Sequence, residues 1–240
     1  MEAVVLAGGR GTRLMKAVPG LPKSLAPIGK QPFLSYLLGW LRAQGVTEIF
    51  LAVGHRRKAI VTHYSRHEPH GMRLRYSVET VPLGTGGALR NLRSLLGGEE
   101  FLVLNGDSMF DVDLQQMLSF HRRHRSGVTL ALANPPETGR YGSVVVDARS
   151  RIKAFIEKQA EPLGRAGRPR WISGGLYIMN QEVFRHIPRR QEVSLEKEVF
   201  PRLIGHAFYG FPWKGYFIDI GIPEDYQRAR TELPKRFTPC

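Results

Sequence analysis

Apolar residues along this chain fall into two alternating patterns. "AVVLAGG" (3–9), "EIFLAVG" (48–54) and "FLVLNGD" (101–107) are continuous apolar runs closed by glycine or Gly-Asp, which predicts strands buried in a sheet. Between the first two, Phe33, Leu34, Leu37, Leu38 and Leu41 recur at helical spacing. Pro32 can start that helix, because its missing N–H is no loss in a first turn, and Gly45 ends it. The pattern also predicts a short basic helix around 57–65, a strand over 74–79, a helix over 84–96 and another over about 113–124.

After residue 127 the texture changes. "GVTLALA", "GSVVVD", "IKAFIEK" and "WISGGLYIMN" are strand-like pieces separated by turns, with few helical periods between them. A helix near 194–204, a strand over 216–221 and a last helix from Pro223 follow. The segment 160–170, rich in glycine, proline and arginine, reads as an exposed loop. Alternation followed by a strand-rich section predicts an α/β fold. One mixed, mostly parallel central sheet with helices on both faces is expected, in a single domain over residues 1–240 with halves of about 1–126 and 127–240.

Composition narrows the function classes. With 42% hydrophobic and 23% charged residues, the chain is globular rather than disordered. No apolar run approaches the roughly 18 residues of a membrane span, and Met1 leads directly into a strand. Neither a signal peptide nor a membrane anchor is expected, and the cytoplasm is the default location. The single cysteine, Cys240, excludes an intramolecular disulfide and reads as an exposed thiol. Charge is the outlier: 35 Lys and Arg against 21 Asp and Glu give a net +14, which favours anionic partners. The basic stretches "HRRHR", "GRAGRPR" and "RHIPRR" lack the interleaved aromatics of a base-stacking platform, so no specific nucleic-acid partner is expected.

Packing does not explain "VVLAGGRGTRL" (4–14). A strand entering a glycine-rich turn lets backbone N–H groups converge on an anion, and a following helix start adds its positive end. A dinucleotide fingerprint from Gly9 would need glycine at position 14, where Leu14 stands; a P-loop would need glycine before Lys23-Ser24, where Pro22 stands. Followed by "LPKSLAPIGKQP", the stretch resembles the G-G-x-G-T-R-L and P-K signature of the sugar-1-phosphate nucleotidyltransferases, or nucleotide-sugar pyrophosphorylases. The resemblance continues in order through "VPLGTGGAL" (81–89), "LVLNGDSMFDVDL" (102–114), "RYGSVVVD" (140–147), "FIEK" (155–158), "ISGGLYIMN" (172–180) and "FIDIGIPEDY" (217–226). It covers nearly the whole chain and is strongest to guanylyltransferases of D-glycero-D-manno-heptose 1-phosphate.

That resemblance implies a Rossmann-like, GT-A-like fold, without the appended β-helix of longer relatives. It also implies transfer of a nucleoside monophosphate from an NTP, GTP first, to a sugar 1-phosphate, with pyrophosphate released. The attacking phosphate oxygen is already ionised, so such a site needs cations and aimed donors rather than a general base. Leu6, Ala7 and the Gly8, Gly9, Gly11 and Thr12 backbone would cradle the nucleotide, Arg13 the leaving pyrophosphate, and Lys23 the phosphates at the reacting centre. Asp107 and Asp219, from strands distant in sequence, would hold Mg²⁺. Asp225, Asp111 and Asp113 read as helix-start, turn and cap residues.

Glu79 would read the nucleobase, with Pro82, Gly84, Thr85, Gly86, Asn105 and Gly106 near base and ribose. Guanine presents two adjacent donors to a carboxylate's two acceptors, which favours GTP over uracil or thymine nucleotides. Glu157 would bind sugar hydroxyls and Lys158 the sugar phosphate, with Tyr141, Gly142, Gly174 and Gly175 lining the pocket. Two departures stand out: Val81 replaces the usual glutamate before Pro82, and Gln159 replaces a common proline. Mannose 1-phosphate, and UTP, CTP or dTTP, are alternative substrates. A catalytically silent paralogue would be expected to have lost Arg13, Lys23, Asp107 or Asp219, and all are present. A homodimer is compatible with this reading, although no surface patch argues for one.

Overall fold

The computed structural model describes residues 1–9, 14, 18–134, 143–156 and 171–240. In chain order, β1 (Glu2–Leu6) is followed by a short antiparallel pair, β2 (Pro27–Ile28) and β3 (Gln31–Pro32), and by α1 (Phe33–Ala43). β4 (Glu48–Val53), α2 (Arg57–Arg66), β5 (Arg73–Val78) and α3 (Gly84–Asn91) come next. β6 (Glu100–Asn105) turns through Gly106 and Asp107 into β7 (Ser108–Phe110), and α4 (Leu114–Arg123) follows. The rest comprises β8 (Val128–Ala133), β9 (Ser143–Val146), β10 (Ile152–Ile156), β11 (Trp171–Asn180), α5 (Phe200–Leu203), β12 (Phe208–Pro212), β13 (Phe217–Asp219) and α6 (Pro223–Arg236).

The main sheet runs β10-β9-β11-β6-β1-β4-β5, with β8 paired to β11 and β12 to β8. β1 lies between β4 and β6, parallel to both, and β5 extends β4 in parallel. The chain builds outward from β1 to β5 and then crosses back to β6. A crevice therefore opens where β1 and β6 end, the usual ligand position in open α/β sheets. Beyond β6 the neighbours turn antiparallel, with β11 against β6, β8 and β9.

Both sheet faces are covered, as the alternation predicts. Ala3 and Val5 of β1 face one core with the buried sides of α1, α2, α4 and α6, whereas Val4 faces a second core with Ala88 and Leu89 of α3 and Phe200 of α5. Asp113 caps α4, accepting from the Gln116 backbone at 2.9 Å. Asp225 lies in the first turn of α6, buried, with Arg228 Nη1 at 3.2 Å. Trp40 is core and donates to Asp111 Oδ1 at 3.1 Å.

Four expectations are corrected. Pro32 precedes α1 rather than opening it. α3 ends at Asn91, where Leu92 N–H and Leu95 N–H bond three residues back and tighten the chain into turns. The expected helix near 194–204 is a π-helical turn, Leu195–Val199, before a single turn of α5. Cys240 is not an exposed thiol: it is half-buried, its N–H donates to Ser35 O at 3.0 Å, and burial raises the thiol's pKa. The sequence reading also missed β12, which pairs in parallel with β8.

His121 ties α4 to the sheet, with Nδ1 2.8 Å from Thr129 Oγ1 and Nε2 2.7 Å from Asn180 Oδ1. Burial lowers its pKa, against the opposing pull of the Asn180 bond. Below an unfolded-state value of about 6.5, only the unfolded chain takes up this proton readily. Stability conferred by neutral His121 is thus present above that pH and lost below it, by up to about 1.4 kcal/mol per pH unit. Urea midpoints at pH 7.0 and 5.5 are expected to differ less for His121→Gln than for the wild type. An equal fall in both would remove His121 as the titrating group.

Candidate active site

The crevice is a cavity of about 860 Å³ at the carboxyl ends of β1, β4 and β6. Leu6, Ala7, Gly8 and Gly9 continue β1 into it, and Asn105, Gly106 and Asp107 do the same for β6. Backbone bonds fix these ends: Ala7 N–H donates to Ala52 O and Gly106 N–H to Leu6 O, both at 2.9 Å. Lys23, Ser24, Glu79, Pro82, Gly84 and Thr85 complete much of the wall. Gly86 lies one residue further along α3, its N–H donating to Val193 O at 2.8 Å. Gly11, Thr12, Arg13, Tyr141, Gly142, Glu157 and Lys158, and the expected loop 160–170, lie outside the described residues.

Lys23 and Asp107 line the cavity, and Asp219 lies close behind them. Lys23 stands in a 3-10 turn after Pro22, and its Nζ lies 2.9 Å from Asp107 Oδ2. Asp219 ends β13, which pairs with β7 in a two-stranded sheet apart from the main one. That register sets Asp219 opposite Ser108, and Ile220 N–H donates to Asp107 O at 3.0 Å. Gly221 N–H donates to Asp219 Oδ1 at 2.6 Å, and a Cβ at Gly221 would stand 3.6 Å from Lys23 Nζ. Burial, then the neighbouring Asp107, push the Asp219 carboxyl up to about 7; Lys23 and the Gly221 N–H pull the other way.

Among the described residues, two nearby carboxylates face one ammonium, which leaves negative charge in excess. Hard oxygen donors in that state suit a divalent cation that keeps water and phosphate ligands. Among the described residues no group of three or more His, Cys, Asp or Glu forms a metal cluster, so such an ion would depend on this pair.

Glu79 follows β5 and is half-buried. Burial raises its pKa, opposed by the Leu83 N–H at 3.4 Å from Oε2. A Cβ at Gly8 would stand 3.0 Å from Glu79 Oε1, so glycine there keeps room for the carboxylate. Arg57, which the sequence reading missed, donates to Glu79 O at 3.0 Å and holds the strand end. Val81 is 44% exposed beside the cavity.

The start of α3 is tied across the molecule. Thr85 Oγ1 donates to Glu196 Oε2 at 3.0 Å and accepts from Leu195 N–H at 2.8 Å; Glu196 also receives Ser194 Oγ and Tyr177 OH. Glu196 was not anticipated, because no periodicity or motif marks it. Gly174 and Gly175 form the irregular step in β11 between Ser173 and Tyr177. A Cβ at Gly174 would collide with the Phe110 ring, and Gly175 has φ +69°, so packing and backbone both require glycine here.

Fold and sequence together define the class: the nucleotidyl transferase family matches residues 2–236, and the chain belongs to it. The chain is 39% identical to D-glycero-alpha-D-manno-heptose 1-phosphate guanylyltransferase of Aneurinibacillus thermoaerophilus, over 97% of this chain and 98% of that protein. It is 34% identical to mannose-1-phosphate guanylyltransferase of Mycobacterium tuberculosis, over 100% of this chain and 66% of the relative. Among solved structures, HddC from Yersinia pseudotuberculosis complexed with GMP-PN superimposes with a TM-score of 0.85 at 30% identity, covering 97% of this chain and 99% of that one. Among the described residues, no helix is long and apolar enough to cross a membrane.

Proposed function

We propose that the protein joins GTP and a sugar 1-phosphate, with D-glycero-D-manno-heptose 1-phosphate as the leading acceptor, to give a GDP-sugar and pyrophosphate. The observation that carries this reading is that one cavity is lined by Glu79, Lys23 and Asp107 together. The heptose and guanine assignments lean on the 39% identical relative; mannose 1-phosphate is the second acceptor, on the strength of the mycobacterial one.

In this mechanism an anionic oxygen of the sugar phosphate attacks the α-phosphorus of GTP, that P–O bond forms, and the bond to pyrophosphate breaks. No side chain removes a proton. Lys23 orients the reacting phosphates and offsets their repulsion. Asp107 and Asp219 would hold Mg²⁺, which when bound neutralises charge on the phosphate oxygens. Glu79 accepts the guanine ring N–H and amino group, and Thr85, fixed by Glu196, steadies the loop beneath base and ribose. Gly8 and Gly9, with Gly11 and Thr12, offer backbone N–H groups to the triphosphate, and Arg13 meets the leaving pyrophosphate. Glu157, Lys158, Tyr141, Gly142, Gly174 and Gly175 serve the sugar phosphate.

A pyrophosphate-release assay with Mg²⁺ tests this directly. GTP, ATP, UTP, CTP and dTTP are crossed with heptose, mannose, glucose and N-acetylglucosamine 1-phosphates. Turnover is expected with GTP and the heptose or mannose acceptor; no turnover with any pair would sink the proposal.

A further inference from the structure

Two side chains on the cavity wall each carry a buried polar atom with no hydrogen-bond partner among the described residues. Arg56 lines the cavity, and its Nη1 is buried with no hydrogen bond among the described residues; Ser24 Oγ, also on the wall, is the same. A buried guanidinium nitrogen without an acceptor is costly, since desolvation is not offset. In native proteins such groups are rare, and each calls for an explanation such as strain, a bound water or ion, or a functional role.

The backbone adds a second cost. Arg56 has φ 57° and ψ 27°, the left-handed region, which a bulky residue enters at an expense of order 1–3 kcal/mol. It is also the N-cap of α2, a position that favours Ser, Thr, Asp or Asn, and it makes no capping bond. His55, Arg56, Arg57 and Lys58 then gather at the positive end of that helix, with no acid in its first turn. Local preference is broken three times at one residue, and such conflicts mark functional positions.

The neighbourhood indicates what completes it. Two residues before Arg56, a Cβ at Gly54 would stand 3.1 Å from Glu79 Oε2, and the next residue, Arg57, is bonded to Glu79 O. Arg56 is therefore carried on the short turn that touches the proposed base reader, yet it forms no ion pair with that carboxylate among the described residues. Guanine alone among the common bases sets two donors, N1–H and N2–H₂, beside an acceptor edge, O6 and N7. A carboxylate with an unspent guanidinium nearby is the complement of that pattern. Adenine carries an amino donor in place of O6 and would oppose the arginine.

We propose that Arg56 is a specificity-determining residue that donates to the O6/N7 edge of guanine while Glu79 accepts from its N1–H and amino group. This rests on the guanylyl-transfer reading and adds to it the residue that rejects adenine.

The test is nucleotide affinity, which needs no knowledge of the sugar. Dissociation constants for GTP, ITP and ATP are measured by calorimetry with Mg²⁺ for the wild type and Arg56→Gly. Glycine adopts the left-handed conformation freely, so the variant should melt no lower than the wild type. GTP and ITP, which share O6 and N7, are each expected to weaken by about 5- to 150-fold, and ATP by much less, so GTP/ATP discrimination collapses. A uniform loss for all three would place Arg56 on the triphosphate and overturn the proposal, as would no loss at all. A wild type with no preference for GTP over ATP would instead sink the guanine reading itself, before any variant is examined.

Discussion

Replacing Asp219 with asparagine should abolish turnover and, in metal-free buffer, raise the melting temperature. The first effect follows from the proposed divalent ion: losing one of its two proposed anionic oxygen ligands is expected to lower kcat at least about 10²–10³-fold, the range lost when one group aimed at transition-state charge is removed. The second follows from the apo charge balance. Burial and Asp107 raise the Asp219 pKa to about 7 from its ordinary 3.8. The folded state thus disfavours the ionised form. The penalty begins above the unfolded value, near pH 4, and is complete once the pH exceeds the folded value. Asparagine keeps an oxygen for the Gly221 N–H but sheds the charge. At pH 8 in EDTA the variant should gain about 2 kcal/mol, or roughly 4–8 °C. At pH 4 the gain should vanish. A variant that melts lower than the wild type at pH 8 would show that Asp219 is not held in an uncompensated field.

What the sequence exposed and what it concealed divide along the same physical line. β1, β4 and β6 were readable because a strand buried on both faces is apolar throughout and must stop where polar chemistry begins. Their glycine-closed ends are the cavity wall, so Gly8, Gly9 and Asp107 were found together with the strands. Asp219 was found from its motif, but its pairing was not. β13 is three residues long, and nothing local distinguishes partnership with β7 from a place in the main sheet. β12 escaped because Phe208–Pro212 is short and ends in proline, which suits an edge strand and obscures its pattern. Arg56, Arg57 and Glu196 escaped for a different reason. Their roles come from which turn lies beside Glu79 and Thr85, and such neighbours 22 to 111 residues away leave no trace in spacing.

Lys23→Met should lose activity like Asp219→Asn but move stability the other way. Its ammonium lies 2.9 Å from Asp107 Oδ2, with the two side chains only 17% and 32% exposed. Removing it costs a charge-assisted bond of roughly 1.5–3 kcal/mol and takes from Asp107 and Asp219 the cation that offsets them among the described residues. The melting point in EDTA should fall by several degrees, at about 2–4 °C per kcal/mol for a chain of this size. Turnover should fall about 10²–10³-fold if, as proposed, the group meets the charge that builds on the phosphates. The decisive comparison is the double variant. If the three side chains share one field, Lys23→Met costs less in the Asp219→Asn background, where one of the repelling charges is already gone. Equal costs in both backgrounds would mean that Lys23 answers to Asp107 alone, and that Asp219 does not share its field.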